Sequence, residues 1–491
     1  MAVSTTIDPF QVHYQLLSAK ASRSLYTGGA LTLILVSLWF LNEGNWAVDA
    51  KTLWGIAIMF LASYPALMWA KHAKKWLPVF EIAMLMAIPQ YAVPLLSHPL
   101  DLRFYPDATI SRAALLISIY LFISILGFSI SRRPPRVKEI FLTSLIPSKF
   151  YYLGHLGLII SNIYLFISTF YSIIPIELYS SLRALFLGLS TMSVFITSHL
   201  WGLNLLNPSK KALFLINIII NTLMSFLGLY LIAGVGTVFL AIASYSSARK
   251  KIPWVASLIF ILIVSILHLG KTEMRGKYWD FSGHGRASQV YKLKVHEVPS
   301  FLLEWVSAGL TMNRVSKQSG IDQKNSLERA ALFPMTCIAV DRIPRERDYL
   351  MGGSYVSIPA VLIPRAIWPE KPSALEGNDQ IMVHLGLVNP DNITVSIAFG
   401  LPTEAYVNFG FIGVSILGFA LGFLYKNISL LAQNAPQFSI VGILSILLIS
   451  SISQSEQNAS IWFSSLLQMT VICIGIPLLY KISASSPMSS K

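Results

Sequence analysis

Ten consecutive residues, Ile363-Pro364-Arg365-Ala366-Ile367-Trp368-Pro369-Glu370-Lys371-Pro372, combine two cations, one aromatic ring and three prolines. Proline fixes its own φ and restricts the residue before it, so Arg365 and Lys371 are predicted to be held in place. Held cations are chemistry for an anion, and the planar fork of an arginine suits a phosphate. Upstream, Arg342 and Arg345 precede Gly352-Gly353-Ser354, where a backbone without side chains can approach a ligand or turn tightly. The alternative for this stretch is a solvated charge cluster, Asp341 to Asp348, ending a helix. Arg112 and Arg183 are expected near the ends of apolar runs on the same side. There an arginine either snorkels to headgroups or faces inward to bind a diphosphate. The candidate proton acceptors are Glu404, which serves equally as a counter-ion for Arg365, and His384.

The elements that must position these groups are membrane spans. Of 491 residues, 54% are hydrophobic and 12% charged, against about 25% charged in soluble domains. The apolar residues come in runs separated by short basic or polar clusters, the pattern of an all-α polytopic integral membrane protein. Twelve spans are predicted: 25–41, 52–70, 76–96, 112–130, 153–174, 179–200, 212–228, 229–247, 253–270, 409–425, 438–453 and 460–480. The stretch 212–247 is too long for one span and is divided where Gly228, Gly234 and Gly236 allow a turn. The chain therefore reads as spans one to nine (1–270), one long loop (271–403), and spans ten to twelve with the C-terminus (404–491). Val48-Asp49-Ala50 resembles a cleavage site, but the long first apolar run points to an uncleaved span.

The net charge of +14 is confined to alternate connections. Lys20, Arg23, Lys71, Lys74, Lys75, Arg132, Arg133, Lys210, Lys211, Arg249, Lys426 and Lys481 fall on one side. By the positive-inside rule both termini are cytoplasmic and the loop 271–403 faces outward. That distribution, with no basic arm or helix-turn-helix pattern, argues against nucleic acid as a partner. Cys337 and Cys473 are too far apart in context to pair, and no metal-ligand spacing or nucleotide-binding motif occurs, so neither metal nor cofactor is expected. The loop holds 15 Lys/Arg and 13 Asp/Glu, a nearly balanced polar cap. Within it, 301–312 is predicted to lie as a helix along the membrane surface. A second helix is predicted over 326–340, disturbed by Pro334. The apolar stretch 351–364 is too short to span and is expected to be interfacial or re-entrant.

At this point the chain resembles the bacterial Wzy-type polymerases, which join oligosaccharide repeat units of O-antigen, capsule and exopolysaccharide. The resemblance rests on the segment 363–372, the Arg/Gly-Gly arrangement at 342–353, and Glu404-Ala405-Tyr406-Val407-Asn408-Phe409-Gly410-Phe411-Ile412-Gly413. It implies a metal-independent glycosyltransferase with a GT-C-like helical fold in the bacterial cytoplasmic membrane. Its substrates would be undecaprenyl-diphosphate-linked repeat units on the outer face, and its partners a chain-length regulator and a flippase. Arg365, with Arg342, Arg345, Arg112 or Arg183, would hold the diphosphate leaving group. Glu404 or His384 would take the proton from the acceptor hydroxyl. The family often has two sizeable outer loops, whereas one is found here. A ligase-type glycosyltransferase fits the same site, and a lipid-linked sugar flippase or other transporter is the alternative from another class. A transporter would be expected to show internal repeats and broken helices near the midplane; no clear repeat is visible.

Overall fold

The computed structural model describes residues 19–485 apart from 44–48, 73, 75, 98–99, 146–152, 172, 175, 230, 250, 281–288, 291–292, 320–330, 364–366, 392, 394–395, 434 and 453–455. Nearly all regular structure among these residues is helical; Trp279–Asp280 and Gln289–Val290 form one short antiparallel pair. The first nine long helices are α1 (Ala19–Glu43), α2 (Ala50–Lys71), α3 (Val79–Ser97, with a π-helical turn at Ile88–Ala92), α4 (Asp107–Ile130), α5 (Leu153–Phe170), α6 (Ile176–Gly202), α7 (Pro208–Phe226), α8 (Leu231–Arg249) and α9 (Trp254–Tyr278). The loop carries α10 (Val298–Ser319), α11 (Phe333–Arg342), α12 (Ile358–Leu362) and α13 (Glu376–His384). The chain then continues through α14 (Leu401–Ala432), α15 (Ile440–Ile452) and α16 (Ala459–Leu479).

Each of the twelve expected spans falls on one of these helices. Among the described residues, ten helices are long and apolar enough to cross a membrane. The expected spans 229–247 and 438–453 fall on α8, of 19 residues, and on α15, described over Ile440–Ile452. The division of 212–247 is observed: α7 ends at Phe226 and α8 starts at Leu231. The left-handed residue in the turn is Leu229 (φ 60°), not a glycine. Its carbonyl accepts from Arg275 Nη2 at 2.9 Å. Gly234 lies inside α8, where a Cβ would strike the Phe226 ring at 2.4 Å.

Helix starts follow local chemistry. Asn207 caps α7 through Lys210 N at 2.9 Å with Pro208 in the first turn, and Asn458 caps α16 through Ile461 N. The α4–α14 pair approaches closely because glycines replace side chains at the crossing. A Cβ at Gly422 would lie 2.0 Å from Ser124 O, and one at Gly127 would lie 2.4 Å from Phe419 O. Small residues at i and i+4, Gly418 and Gly422, provide this backbone contact.

Two features of the loop depart from expectation and a third follows it. The helix predicted at 301–312 is present, but α10 turns back along α9 in an antiparallel hairpin. Trp305 Nε1 donates to Leu267 O at 2.7 Å, Tyr278 packs on Phe301, and Gly309 abuts Ile266. An apolar face that has a helix to bury against takes it. Next, α11 begins at Phe333, so Pro334 opens the helix where its missing N–H is harmless; residues 326–330 of the predicted run lie outside the described residues. Leu332 N donates to Gln90 O at 2.9 Å, midway along α3. The start of α11 is therefore inserted among the long helices. Finally, α12 and the turn before it form one short apolar helical segment, Gly353–Leu362, against α16. This agrees with the reading that 351–364 does not span.

The helix α14 is a hairpin of two arms. Phe409 (φ −140°, ψ 16°) and Gly410 (φ 62°, ψ −151°) leave helical geometry. A Cβ on Gly413 would lie 2.6 Å from Ala405 O. Residues eight apart would be ~12 Å apart along one straight helix, so the short arm 401–408 folds back on the long arm 411–432. The short arm packs beside α11: Thr336 Oγ1 and Thr403 Oγ1 are 2.8 Å apart, and Tyr406 Oη donates to Ile343 O at 3.0 Å. Both short helices run in the same direction and begin inside the bundle.

Candidate functional site

Two groups of the predicted residues emerge at the end of the bundle where α4, α14 and α16 begin. The first surrounds the end of α11. Thr109 Oγ1 of α4 donates to Asp341 Oδ1 at 3.2 Å, one helical turn from Arg112. The Arg112 guanidinium lies 6.0 Å from the centre of the Phe411 ring, beside the α14 break. Arg345 is exposed and pairs with Asp341 at 3.4 Å and Glu346 at 2.8 Å. Arg342 donates through Nη1 to Leu385 O at the end of α13. A cation there complements the exposed carbonyls of a helix C-terminus. His384, the last residue of α13, is half-buried, and its Nε2 is 2.7 Å from Asp348 O. A carbonyl only accepts, so Nε2 carries the proton and Nδ1 of the neutral ring is the acceptor. Arg112, Arg342, Arg345 and His384 thus come from three helices and a loop to one rim.

The second group is enclosed. Glu404, on the short arm of α14, is fully buried. Its Oε1 accepts from Ser354 Oγ at 2.8 Å, and its Oε2 accepts from Ala459 N at 2.6 Å. Asn408, also fully buried, donates from Nδ2 to Ser354 Oγ and to Glu404 O, both at 2.8 Å. Its Oδ1 accepts from Gly352 N at 3.0 Å. Leu350 N and Met351 N cap the carbonyls of Val407 and Asn408. These bonds close the C-terminal end of the short arm and fasten the 350–354 turn to α14 and α16.

The structure places the other expected residues as follows in the two groups and around them. Gly352 turns with φ 93°, and its N–H is directed to Asn408 rather than to a ligand. Gly353 opens the short helical turn 353–355. Glu404 sits under the cap as its anchor, with both oxygens occupied; Arg365, for which it was the expected counter-ion, lies outside the described residues. Lys371 Nζ donates to Val361 O at 2.6 Å and Ile363 O at 2.5 Å, capping the end of α12. Arg183 is exposed on α6, whose packing partners are α5, α8 and α16 rather than the cap. Ser354, Asn408 and the Ala459 N–H were not singled out by the sequence, since a serine or asparagine in an apolar run carries no local sign of a partner 50 residues away.

The groups are separated by the length of α13. A Cβ on Gly377, in the first turn of α13, would meet Ser354 O at 2.4 Å and Asn458 Nδ2 at 3.1 Å. His384 is seven residues further, ~10 Å along the helix. The arrangement offers a basic rim with one imidazole, standing on a floor where Glu404, Asn408 and Ser354 match one another and Asn458 Nδ2 is buried without a partner among the described residues. No protein-family model, curated protein or solved structure matches the chain.

Proposed function

We propose that this chain is a membrane glycosyltransferase that joins polyprenyl-diphosphate-linked oligosaccharide repeat units in a bacterial cytoplasmic membrane. In this reading the capped end faces outward and both termini are cytoplasmic. The observation that carries it is the gathering of Arg112, Arg342, Arg345 and His384 on one rim beside the broken helix. Departure of a lipid diphosphate from an anomeric carbon needs positive charge at the leaving oxygens and a base at the attacking hydroxyl. Arg112 and Arg345 supply the first, with Arg365 from the Pro-rich segment. His384 supplies the second through Nδ1, its other nitrogen being held by Asp348 O. Glu404 positions the cap from below and takes no proton. Arg342 orients the end of α13, and hence His384.

The test is the glycan profile of cells lacking the protein, complemented with wild type, Arg365→Ala or His384→Gln. A ladder in wild type that collapses to single repeat units in both variants supports polymerisation at this rim. Normal chain lengths in both variants reject it. Long chains left on the carrier lipid identify a ligase, and lipid-linked units that accumulate on the cytoplasmic face identify a transporter.

A further inference from the structure

At the opposite end of the bundle, the end of α6, α7, α8 and the first part of α9 line an open groove with a volume of about 390 Å³. Phe214, Ile218 and Phe226 form one wall, Ala241 and Tyr245 the second, and Phe260 the third. Phe214 and Phe226 are twelve residues apart on α7, so the groove is ~18 Å long at 1.5 Å per residue. The lining is almost wholly apolar, and the length is close to one leaflet, half of a ~30 Å hydrocarbon core, the reach of one extended hydrocarbon chain. Phe226, almost fully buried against Gly234, closes the far end. An apolar groove left empty would forfeit the dispersion contacts of every residue lining it.

The mouth identifies the rest of the ligand. Trp201 and Tyr245 stand there with ring centroids 5.9 Å apart, an aromatic pair of the kind that marks a membrane interface. Lys210 and Lys211 begin α7, Arg249 ends α8, and Lys251 precedes α9; all but the half-buried Lys211 are exposed. No Asp or Glu occurs between residues 178 and 272, so this stretch offers these cations no acidic partner. Three residues before Trp201, Ser198 borders the groove. It is 1% exposed, and its Oγ has no hydrogen-bond partner among the described residues. A hydroxyl so placed is a donor for an ester carbonyl, a group that an acyl lipid has and a polyprenyl chain lacks.

We propose that this groove is a binding site for one acyl chain of an anionic phospholipid. The phosphate lies among Lys210, Lys211, Arg249 and Lys251, and an ester carbonyl accepts from Ser198. The site is remote from the capped rim and stands whether or not the chain is a glycosyltransferase.

Native mass spectrometry of the full-length protein in detergent tests the site, titrated separately with phosphatidylglycerol, with phosphatidylcholine of the same chains, and with undecaprenyl phosphate. The wild type is expected to keep one phosphatidylglycerol, bound at least tenfold more tightly than phosphatidylcholine. Ala241→Phe, which fills the groove, and the combined surface variant Lys210→Gln, Arg249→Gln, Lys251→Gln are each expected to lose that preference. The surface variant removes no buried contact, so it decides the matter even where Ala241→Phe fails to fold. Equal binding of the two phospholipids in wild type, or a preference that survives in the surface variant, overturns the proposal. Undecaprenyl phosphate binding more tightly than phosphatidylglycerol also overturns it, because the groove then belongs to the carrier lipid.

Discussion

The seat of the cap and the groove between α7, α8 and α9 are both places where polar groups meet apolar helices, and they are built in opposite ways. Under the cap, Glu404 and Asn408 are fully buried and their side-chain oxygens and amide are all matched by Ser354, Ala459 N, Gly352 N and Glu404 O. In the groove, Ser198 Oγ and Thr222 Oγ1 are buried without a partner among the described residues. A saturated network fixes one geometry and leaves nothing to offer a ligand, whereas an unmatched donor beside an open cavity favours an occupant from outside. The first is scaffold, although it lies beneath the residues proposed to do chemistry. The second is receptive, although it is far from them.

The contrast is broken most directly by Glu404→Leu. Two buried donors then lose their acceptor, at about 1–3 kcal/mol each, and the cap should become sensitive to limited proteolysis between 350 and 400. Glu404→Gln keeps one carbonyl and should lose less. A Leu variant whose cap resists protease like wild type would show that the network does not hold it. Gly410→Ala comes next. Its φ of 62° and the Tyr349 hydroxyl 2.9 Å from a Cβ combine backbone strain with a contact, for a loss of about 1–3 kcal/mol. Thermal unfolding in detergent reads it, and an unchanged midpoint would mean that the hairpin of α14 relaxes freely. Ser354→Ala should cost about 1–2 kcal/mol, because it strips Glu404 of a donor and Asn408 of an acceptor.

Charge on the outer hairpin gives a smaller effect and a definite sign. Glu304 accepts from Lys277 at 2.5 Å and from Tyr278 at 2.8 Å, and these bonds hold its carboxyl below the usual range. The stability this contributes is present above the unfolded carboxylate range and is lost as pH falls through the lower folded value. Glu456, in the α15–α16 connection, is shifted the other way, raised by burial against the attraction of Lys271 and Arg275. Its contribution is present at low pH and fades as pH rises through the raised folded value. Glu304→Gln should therefore flatten the acid limb of a pH–stability curve, and Glu456→Gln the limb above it; the reverse assignment would refute the geometry. The smallest effect is expected for Ser198→Ala in lipid-free detergent. No bond is lost there, so the unfolding midpoint should match wild type, and a drop like that of Ser354→Ala would erase the distinction between the two regions.

Much of the fold was legible because hydropathy acts locally. A run of apolar residues announces a helix whatever surrounds it, and the break at 409–410 coincides with the predicted start of span ten. The eight residues before it were not recognised as a separate arm, since Pro402, Thr403, Glu404 and Asn408 make 401–408 read as the end of the polar loop rather than as a buried helix. Pro334 was misread because proline breaks a helix interior but is harmless in a first turn, and the sequence does not say where the helix starts.

The sequence by itself determined that this chain is a bundle of membrane helices, with its cations sorted to alternate connections and a balanced loop of about 130 residues between spans nine and ten. Only the tertiary structure decided which polar residues are partners. Ser354, Glu404 and Ala459 are separated by 50 and 55 positions, and no pattern shorter than the fold joins them. It also decided that Gly352 caps a helix, that Lys371 closes α12, and that Arg342 and His384 share the end of α13. The physical reason is range: burial of an apolar face is settled within a few turns of helix, whereas a hydrogen bond is specified only when both ends have been brought to one place.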